Sequence, residues 1–190
     1  MKKIIISILC SAAIILCVIR IYFVNSQGVL QPICTYSRNE EVSFENDFFN
    51  SIQDSSDGYT ITAHETELLS LDKFKEKYGI EKDIGIDNCD YVYTVEVTIR
   101  NKTNSNGIQS GINMQQFIIQ NGSFITFFSP EAYPYINQNP ESRFSLAEND
   151  SLDFIIPFAL YKENVDINDF EHGKPALVIS LYPRKKIIEL

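Results

Sequence analysis

The chain has 190 residues, of which 44% are apolar, with 16 Lys and Arg, 25 Asp and Glu, four Cys, two His and no Trp. This length suits one or two domains. Three of the cations lie in the first twenty residues, which contain no acid, so the remainder carries 13 cations against 25 acids, a net charge of −12. Such an acidic body is repelled by nucleic-acid phosphates and by anionic lipid, so nucleic-acid binding is not expected.

The amino-terminal segment predicts a membrane anchor. Residues 4–24 are apolar apart from two Ser and Arg20, and as a helix they would span about 31 Å, the thickness of one bilayer core. Lys2 and Lys3 favour a cytoplasmic amino terminus formed by residues 1–3, which leaves the rest of the chain outside the cell.

The alternative for this segment is a secretory signal that is cleaved near Ser26. The apolar run is longer than the usual signal core of ~7 to 15 residues, which favours the retained anchor. Both possibilities export the body. Residues 25–40, interrupted by Gly28 and Pro32, are typical of a stalk, and residues 41–190 then form one extracellular domain.

Alternating apolar and polar residues predict strands in this domain. Residues 91–99 give the clearest pattern, with Tyr, Val or Ile at every second position, and indicate a strand with one wet face. Shorter alternations at residues 59–63, 152–158 and 177–181 indicate three further strands.

A hairpin and a helix are also predicted from local signals. Residues 117–126 predict a hairpin whose two-residue turn is Asn121-Gly122. Ser70 is placed to cap a helix over residues 71–78, and Gly79 is placed to end it. The helical residues expected to face the sheet are Leu71, Phe74 and Tyr78.

Together these signals predict a mainly β fold. The expected architecture is an immunoglobulin-like, two-sheet antiparallel sandwich of about seven strands with one inserted short helix, preceded by a single N-terminal transmembrane helix. A closed barrel is the alternative architecture.

Several short segments resemble an uncharacterised family of small, singly anchored extracellular bacterial proteins. They are residues 20–25 (RIYFVN), 57–61 (DGYTI), 95–101 (VEVTIRN) and 181–183 (LYP). With the later motifs FSL (144–146) and FIIP (154–157), the third segment also resembles a broader group of secreted bacterial immunoglobulin-like domains. The resemblance implies location and architecture. Neither group has an established activity, so it implies no catalytic residue and no cofactor.

Residues 129–136 (SPEAYPYI) are the candidate binding loop. Tyr133, Pro134 and Tyr135 concentrate stiff, amphipathic surface in this loop, which suits binding of a sugar or a peptide. The alternative is that Tyr133, Tyr135 and Ile136 fold back as a lid over an open end of the sandwich.

Two acidic loops, residues 81–90 and 163–171, raise the possibility of a calcium site. Asp83, Asp87 and Asp90 are weak candidate ligands, because calcium requires several oxygen atoms on a flexible loop. Neither loop has the twelve-residue EF-hand spacing, so solvated loops without a metal are the favoured interpretation.

Cys34 and Cys89 are the thiols of the exported part. An oxidising compartment permits a disulfide between them, and the sequence leaves the pairing open, with unpaired structural Cys slightly favoured.

Catalytic chemistry is not expected. Ser70-Leu71-Asp72-Lys73 matches the Ser-x-x-Lys pattern of extracellular acyl-transfer enzymes, but their Lys-Thr-Gly-like strand is absent and a helix cap explains the Ser. His64 and His172 are expected in solvent, without the Cys/His spacing of a zinc site.

The sequence therefore predicts a membrane-anchored, non-enzymatic binding or interaction module, or an accessory subunit, at the cell surface. Its partner would be a protein, a peptide or an envelope component, and no cofactor is expected. The alternative is a regulatory or immunity-type protein whose acidic ectodomain captures cationic peptides. A cell-envelope hydrolase is a distant third possibility.

Overall fold

The computed structural model describes residues 11, 13–23, 32–49, 56–105, 111–138 and 141–190. The chain divides into two compact units, Met1–Gln31 and Pro32–Leu190. In the first unit, residues 13–23 are helical and form α1. None of the helices in the described residues is both long and apolar enough to cross a membrane. Residues 4–10, 12 and 24 of the predicted anchor, and the predicted cleavage site near Ser26, lie outside the described residues.

Strands dominate the described part of the second unit. The eleven strands are β1 (Ile33–Tyr36), β2 (Val42–Ser43), β3 (Tyr59–Ser70), β4 (Tyr91–Asn101), β5 (Ile112–Asn113), β6 (Ile118–Asn121), β7 (Phe124–Phe127), β8 (Arg143–Phe144), β9 (Ser151–Leu160), β10 (Ala176–Ser180) and β11 (Lys185–Glu189). The short helices are α2 (Leu71–Tyr78), α3 (Tyr133–Ile136) and α4 (Ile167–His172), with a 3₁₀ turn at Met114–Gln116.

The strands form two large sheets and one small sheet. The five-stranded sheet has the order β1-β11-β10-β6-β7, the four-stranded sheet has the order β2-β3-β4-β9, and β5 pairs with β8. Neighbouring strands are antiparallel except for β1 and β11, which are parallel. The prediction of a mainly β protein with antiparallel sheets and few helices is confirmed.

One core lies between the two large sheets. The four-stranded sheet contributes Ile61, Val97 and Phe154, and the five-stranded sheet contributes Leu177 and Ile188, all at most 3% exposed. Burying an aliphatic or Phe side chain of this kind stabilises a fold by roughly 1.5–3 kcal/mol. The two sheets are therefore held together by apolar packing, as in a sandwich.

The structure has more strands than the seven or so predicted. The additional strands are two to five residues long, which is too short for an alternating pattern to be recognised. One of them, β1, lies inside the predicted stalk at residues 25–40. Because β1 pairs with the last strand, β11, the globular unit begins at Pro32 and not at residue 41.

The strand order differs from that of immunoglobulin domains. There, the second and third strands along the chain lie in opposite sheets. Here the second and third strands, β2 and β3, are neighbours in one sheet, and β4 follows them in the same sheet. A bridge between Phe128 and Phe158 also connects the end of β7 to β9, so the two sheets touch at one corner.

Helix α2 begins and ends where the sequence predicts. Ser70 occupies the N-cap position, although its side chain makes no capping hydrogen bond, and Gly79 ends the helix in the left-handed conformation with φ 63°. Phe74 is fully buried, and Leu71 and Tyr78 are partly buried beside it. The predicted apolar face of the helix is confirmed.

This helix covers one end of the outer face of the four-stranded sheet. We call the residues packed there the outer cluster; its buried members are Phe74, Ile80, Ile84, Ile86, Cys89, Val92, Ala132 and Ala159. Because of this cover, Val92 and Thr94 of β4 are buried, and the wet face predicted for the whole strand begins only at Glu96.

The predicted hairpin exists, but its turn is displaced by one residue. Asn121 pairs with Phe124, so the central residues of the turn are Gly122 and Ser123. Of these two, only Gly122 has a positive φ, 60°, as in a type II′ turn. The side chain of Asn121 instead donates a hydrogen bond to the carbonyl of Phe170 in α4, at 3.0 Å.

Candidate functional site

The uncovered end of the four-stranded sheet forms an open groove. Its cavity volume is ≈ 830 Å³.

 A second groove, beside β7, is smaller, with a volume of ≈ 420 Å³. We call the larger one the sheet groove. It lies over β3, β4 and β9, and its central side chains are His64, Glu96, Thr98, Leu152 and Asp153.

A bulge in β3 sets the direction of the side chains in the sheet groove. The pairing of β3 with β4 shifts between Ala63 and Thr66, so that His64 and Glu65 both lie opposite Glu96. A bulge of this kind increases the local twist of a strand and redirects its side chains. As a result, His64 reaches across to Thr98 on the neighbouring strand.

The hydroxyl of Thr98 links His64 to Asp153. Thr98 Oγ1 donates to Asp153 Oδ1 at 2.6 Å and lies 2.9 Å from His64 Nε2. Because Asp153 takes the only proton of the hydroxyl, Oγ1 accepts a hydrogen bond from Nε2–H. The other ring nitrogen, Nδ1, is 3.0 Å from Asn39 Oδ1. The imidazole therefore lies between the side chains of Asn39 and Thr98.

This chain of hydrogen bonds does not have the order of a catalytic triad. In a triad the imidazole lies between a hydroxyl and a carboxylate and removes the proton of the hydroxyl. Here the hydroxyl of Thr98 lies between the imidazole of His64 and the carboxylate of Asp153. The arrangement orients side chains on the sheet, and it does not prepare Thr98 to attack a substrate.

The sheet groove is acidic and partly apolar. Glu96 and Asp153 are exposed, and no cation of the described residues lies within ion-pair distance of either carboxylate. Leu152, next to Asp153 at the start of β9, also lines the groove and is 43% exposed. An exposed apolar side chain beside two uncompensated charges is the kind of surface that binds a partner of opposite charge.

The segment after α3 closes one end of the sheet groove. Asn137 accepts a hydrogen bond from the backbone N–H of Ile155 and donates one to its carbonyl, both at 2.8 Å. The side chain therefore occupies the free edge of β9 at this point, as a neighbouring strand would. The exposed residues Ser151–Asp153, at the start of β9, keep an open edge.

The predicted binding residues are divided between the core and the surface. Tyr133 is 1% exposed and packs on Phe128, with ring centroids 5.2 Å apart. Its hydroxyl has no hydrogen-bond partner among the described residues, and burial raises the pKa of this hydroxyl. Pro134 and Tyr135 stay on the surface, where the ammonium of Lys82 lies 4.9 Å from the Tyr135 ring centroid.

Tyr133 is therefore part of the core and cannot contact a partner in this structure. Its position agrees with the alternative prediction, in which the loop folds back over the sandwich, and Ile136 also packs on the outer cluster. Binding through Pro134 and Tyr135 alone remains a prediction.

The predicted calcium ligands make contacts within the protein instead. Asp83 accepts a hydrogen bond from Gly85 N–H, and Asp87 accepts one from Ile84 N–H, both at 2.7 Å. Asp87 also forms an ion pair with Lys75 of α2. A hydrogen bond with Asp83 and the contact with Lys75 hold the pKa of Asp87 well below its ordinary value.

Asp90 is paired in the same way. It accepts a hydrogen bond from the backbone N–H of Lys162 at 2.7 Å, and the ammonium of Lys162 lies 3.3 Å from it, which lowers the pKa of Asp90. In the described residues, no three His, Cys, Asp or Glu lie close enough together to hold a metal ion. These carboxylates fix the loop that follows α2.

Cys34 and Cys89 are both free thiols in this structure. Cys34 is half-buried on β1, and Cys89 is buried in the outer cluster. Burial raises the pKa of the Cys89 thiol to about 11, so almost none of the reactive thiolate is present at neutral pH. Cys89 is thus an apolar packing residue.

The other residues considered for catalysis are not brought together. Ser70 is the N-cap residue of α2, and His172 lies at the end of α4 with Nδ1 2.8 Å from the carbonyl of Asn168. Glu96 and Asp153 were not predicted as site residues. Glu96 stands at a polar position of the predicted strand, but only the pairing of β4 with β9 places Asp153 beside it.

Known proteins give a family but no activity. No curated protein matches the chain. Among solved structures, one that is similar is "The crystal structure of a functionally unknown protein from Listeria monocytogenes EGD-e", with a TM-score of 0.40 and 12% sequence identity over 74% of this chain and 77% of that chain. Residues 33–186 match the family described as "Domain of unknown function (DUF5028)". Because this match spans nearly all of the globular unit, the chain belongs to the DUF5028 family.

Proposed function

We propose that the protein is a cell-surface recognition module, without catalytic activity, that binds an extended, cationic segment of a partner protein in the sheet groove. The observation that carries the proposal is the pair of uncompensated carboxylates, Glu96 and Asp153, in the same groove as the exposed Leu152. This combines the binding module expected from the sequence with its alternative, the capture of cationic peptides.

The location at the cell surface rests on the amino-terminal sequence. Residues 4–24 have the length and apolar character of a membrane anchor, and Lys2 and Lys3 favour export of the part that follows. The two facing sheets support an immunoglobulin-like domain in the broad sense of a sandwich, with its own strand order. Domains of this architecture serve many functions, so the proposal depends on the groove and not on the fold.

The shape of the sheet groove favours an extended partner. β9 is the last strand of its sheet, and Asn137 blocks its edge at Ile155 but not at Ser151–Asp153. A partner strand could therefore add to the start of β9 through backbone hydrogen bonds, with Lys or Arg side chains against the carboxylates. The net charge of −12 on residues 21–190 would attract such a segment over a distance that salt shortens.

A binding assay with two charge-matched variants tests this proposal. The full-length protein in detergent micelles is titrated with a fluorescent peptide of alternating Lys and Leu, and anisotropy is recorded at low and at physiological ionic strength. We expect the double variant Glu96→Gln/Asp153→Asn to bind about tenfold more weakly, the equivalent of about 1.4 kcal/mol. The control Glu148→Gln/Glu163→Gln removes the same charge from exposed positions elsewhere.

Two results would overturn the proposal. The first is equal loss of affinity in both double variants, which would mean that only the net charge attracts the peptide. The second is the absence of binding to the wild-type protein at low ionic strength, where the electrostatic attraction is strongest.

A further inference from the structure

A second group of charged residues lies inside the fold, away from the sheet groove. We call Glu45, Asp47, Arg184 and Lys186 the lysine cluster. The side chains of Asp47 and Lys186 are each only 1% exposed. Lys186 lies on the inward face of β11, two residues before the fully buried Ile188, so an ammonium group occupies a core position.

The amine of Lys186 is surrounded by oxygen atoms. It forms an ion pair with Asp47 Oδ2, lies 3.1 Å from Glu45 Oε2 and donates to the carbonyl of Ser43 at 2.6 Å. Arg184 contacts both acids: its Nε is 3.6 Å from Asp47 Oδ1, and its guanidinium is paired with Glu45. An amine, a carboxyl group and a second carboxylate thus meet at one point.

Asp47 is in an unusual state for a buried acid. Both of its carboxylate oxygens are shielded from solvent, and neither accepts a hydrogen bond from a described residue, although Lys186 and Arg184 are within ion-pair distance. The surroundings are apolar, because Phe44 and Phe49 are buried nearby in the chain and Phe48 stacks on Tyr182, with centroids 5.8 Å apart. Taking two charges out of water in this way is costly.

Glu45 lies beside the amine of Lys186 in an unfavourable backbone conformation. Phe44 and Asp47 close a turn through a hydrogen bond from Asp47 N–H to the Phe44 carbonyl at 3.1 Å. Within it, Glu45 has φ 52°, in the left-handed region that favours glycine. Non-glycine residues in this region concentrate at functional sites. Gly would adopt this backbone conformation more easily than Glu. We therefore attribute the presence of Glu45 to its carboxylate.

We propose that Lys186 and Asp47 react with each other to form an intramolecular isopeptide bond, with Glu45 as the catalytic residue that moves the protons. The proposal is independent of the function assigned to the sheet groove. It accounts together for the burial of an amine against a carboxyl group, the lack of hydrogen bonds to that carboxyl group and the left-handed turn at Glu45.

The reaction is a condensation that needs no oxidant and no co-reactant. The ammonium of Lys186 gives one proton to Glu45, which Lys186 and Arg184 keep ionised by lowering its pKa, and Glu45 passes this proton to the carboxylate of Asp47. The free amine then attacks Cγ of Asp47, and the N–C bond forms. Glu45 takes a second proton from the nitrogen and transfers it to the departing oxygen, and the C–O bond breaks to release one water molecule. Arg184 faces Oδ1, where negative charge develops.

The product removes the cost of the buried charges. Lys186 and Asp47 become a neutral amide, and Glu45 and Arg184 remain as an ion pair, so the net charge of the cluster does not change. The bond would join the turn after β2, in the four-stranded sheet, to β11, in the five-stranded sheet. The sandwich would then be closed covalently near both ends of its chain.

Peptide mapping of the full-length protein tests the proposal. The chain has no Lys or Arg between Arg38 and Lys73, so trypsin releases residues 39–73, which contain Asp47, as one peptide. Without the bond, trypsin also cleaves after Lys186 and releases residues 187–190. With the bond, cleavage there is blocked, and a branched peptide of residues 39–73 and 186–190 appears at the summed mass less one water.

Three variants and one control identify the chemistry. Lys186→Arg keeps the positive charge, and we expect it to give no branched peptide. Asp47→Asn should lose ammonia instead of water and give the same branched product, which a salt bridge would not do. Glu45→Gln should lower the branched fraction at least tenfold while the circular dichroism spectrum stays unchanged. The control, Lys185→Arg, should remain fully branched.

Quantitative release of residues 187–190 from the unheated wild-type protein would overturn the proposal, because it shows a free Lys186. A branched peptide that survives in Glu45→Gln at the wild-type level would overturn the role of Glu45. Both results are readable without any binding assay.

Discussion

The two ends of the outer face of the four-stranded sheet differ in burial, although the same strands run through both: one end is covered and the other is exposed. At one end, Val92 is fully buried beneath the outer cluster. At the other, Glu96 and Thr98 of the same strand line the sheet groove. Side chains at alternate positions of a strand share one face, so Val92, Glu96 and Thr98 point the same way. The alternation along β4 therefore identifies the face but not its environment.

The difference comes from the segment that connects β3 to β4. This connection contains α2 and the loop of residues 79–90, and it folds back over the strands that it joins. Its apolar residues supply the cover, and Asp87 and Asp90 fix it through Lys75 and Lys162. No comparable segment of the described chain returns over the other end, which stays accessible to a partner.

The largest expected effect is at the centre of the cover. Phe74→Ala removes a fully buried ring from the outer cluster, and substitutions of this kind cost about 3–5 kcal/mol of unfolding free energy. We expect the melting temperature to fall by roughly 10 °C, measured by circular dichroism. The exposed Lys73→Ala is the control on the same helix and should change little. A loss below about 1 kcal/mol for Phe74→Ala would mean that the cover is not part of the cooperative fold.

A smaller effect is expected from the charges that hold the cover. The pKa of Asp87 is lowered in the folded protein, so its carboxylate stabilises the fold above its ordinary pKa of 3.8. This stabilisation is lost as the pH falls through the lower, folded value. We therefore expect Asp87→Asn to be less stable than the wild type at neutral pH and to lose less stability on acidification.

Melting temperatures recorded from neutral pH to about pH 2, well below the ordinary pKa of Asp87, measure this difference. Glu148→Gln, an exposed acid elsewhere, should keep the wild-type profile. Parallel profiles for Asp87→Asn and the wild type would show that the ion pair with Lys75 does not hold the cover.

The elements that could be predicted are those whose signal is local. β4 is predicted because its period of two extends over enough residues to be recognised, and α2 is predicted because Ser70 and Gly79 mark its two ends. Gly79 ends α2 as predicted, because a left-handed residue is a requirement of the helix end itself. The hairpin turn is displaced by one residue from the predicted position. The side chain of Asn121 donates a hydrogen bond to the carbonyl of Phe170, which is distant in sequence, and local turn preferences do not include such a contact.

The parts that could not be predicted depend on strand order. Asp153 reaches the sheet groove only because β9 pairs with β4, across about fifty residues of chain. Lys186 lies in the run Arg184-Lys185-Lys186, which resembles a solvated surface, and only the sheet order turns one of these cations inward. Burial of a charge is thus a property of the assembled sandwich.

The smallest expected effect is at the open end of the sheet, where Thr98→Val removes the hydroxyl that links His64 to Asp153. Val has nearly the same shape, and the position is only half-buried, so we expect the unfolding free energy to change by at most about 0.5 kcal/mol in urea denaturation. The matched variant is Val97→Thr, one residue earlier on the core face, which should cost about 1–3 kcal/mol because it buries a hydroxyl without a partner. If Thr98→Val were as costly as Val97→Thr, the hydrogen bonds of the groove would be part of the framework of the sheet. The open end would then differ from the covered end in exposure alone, and its side chains would not be free to serve recognition.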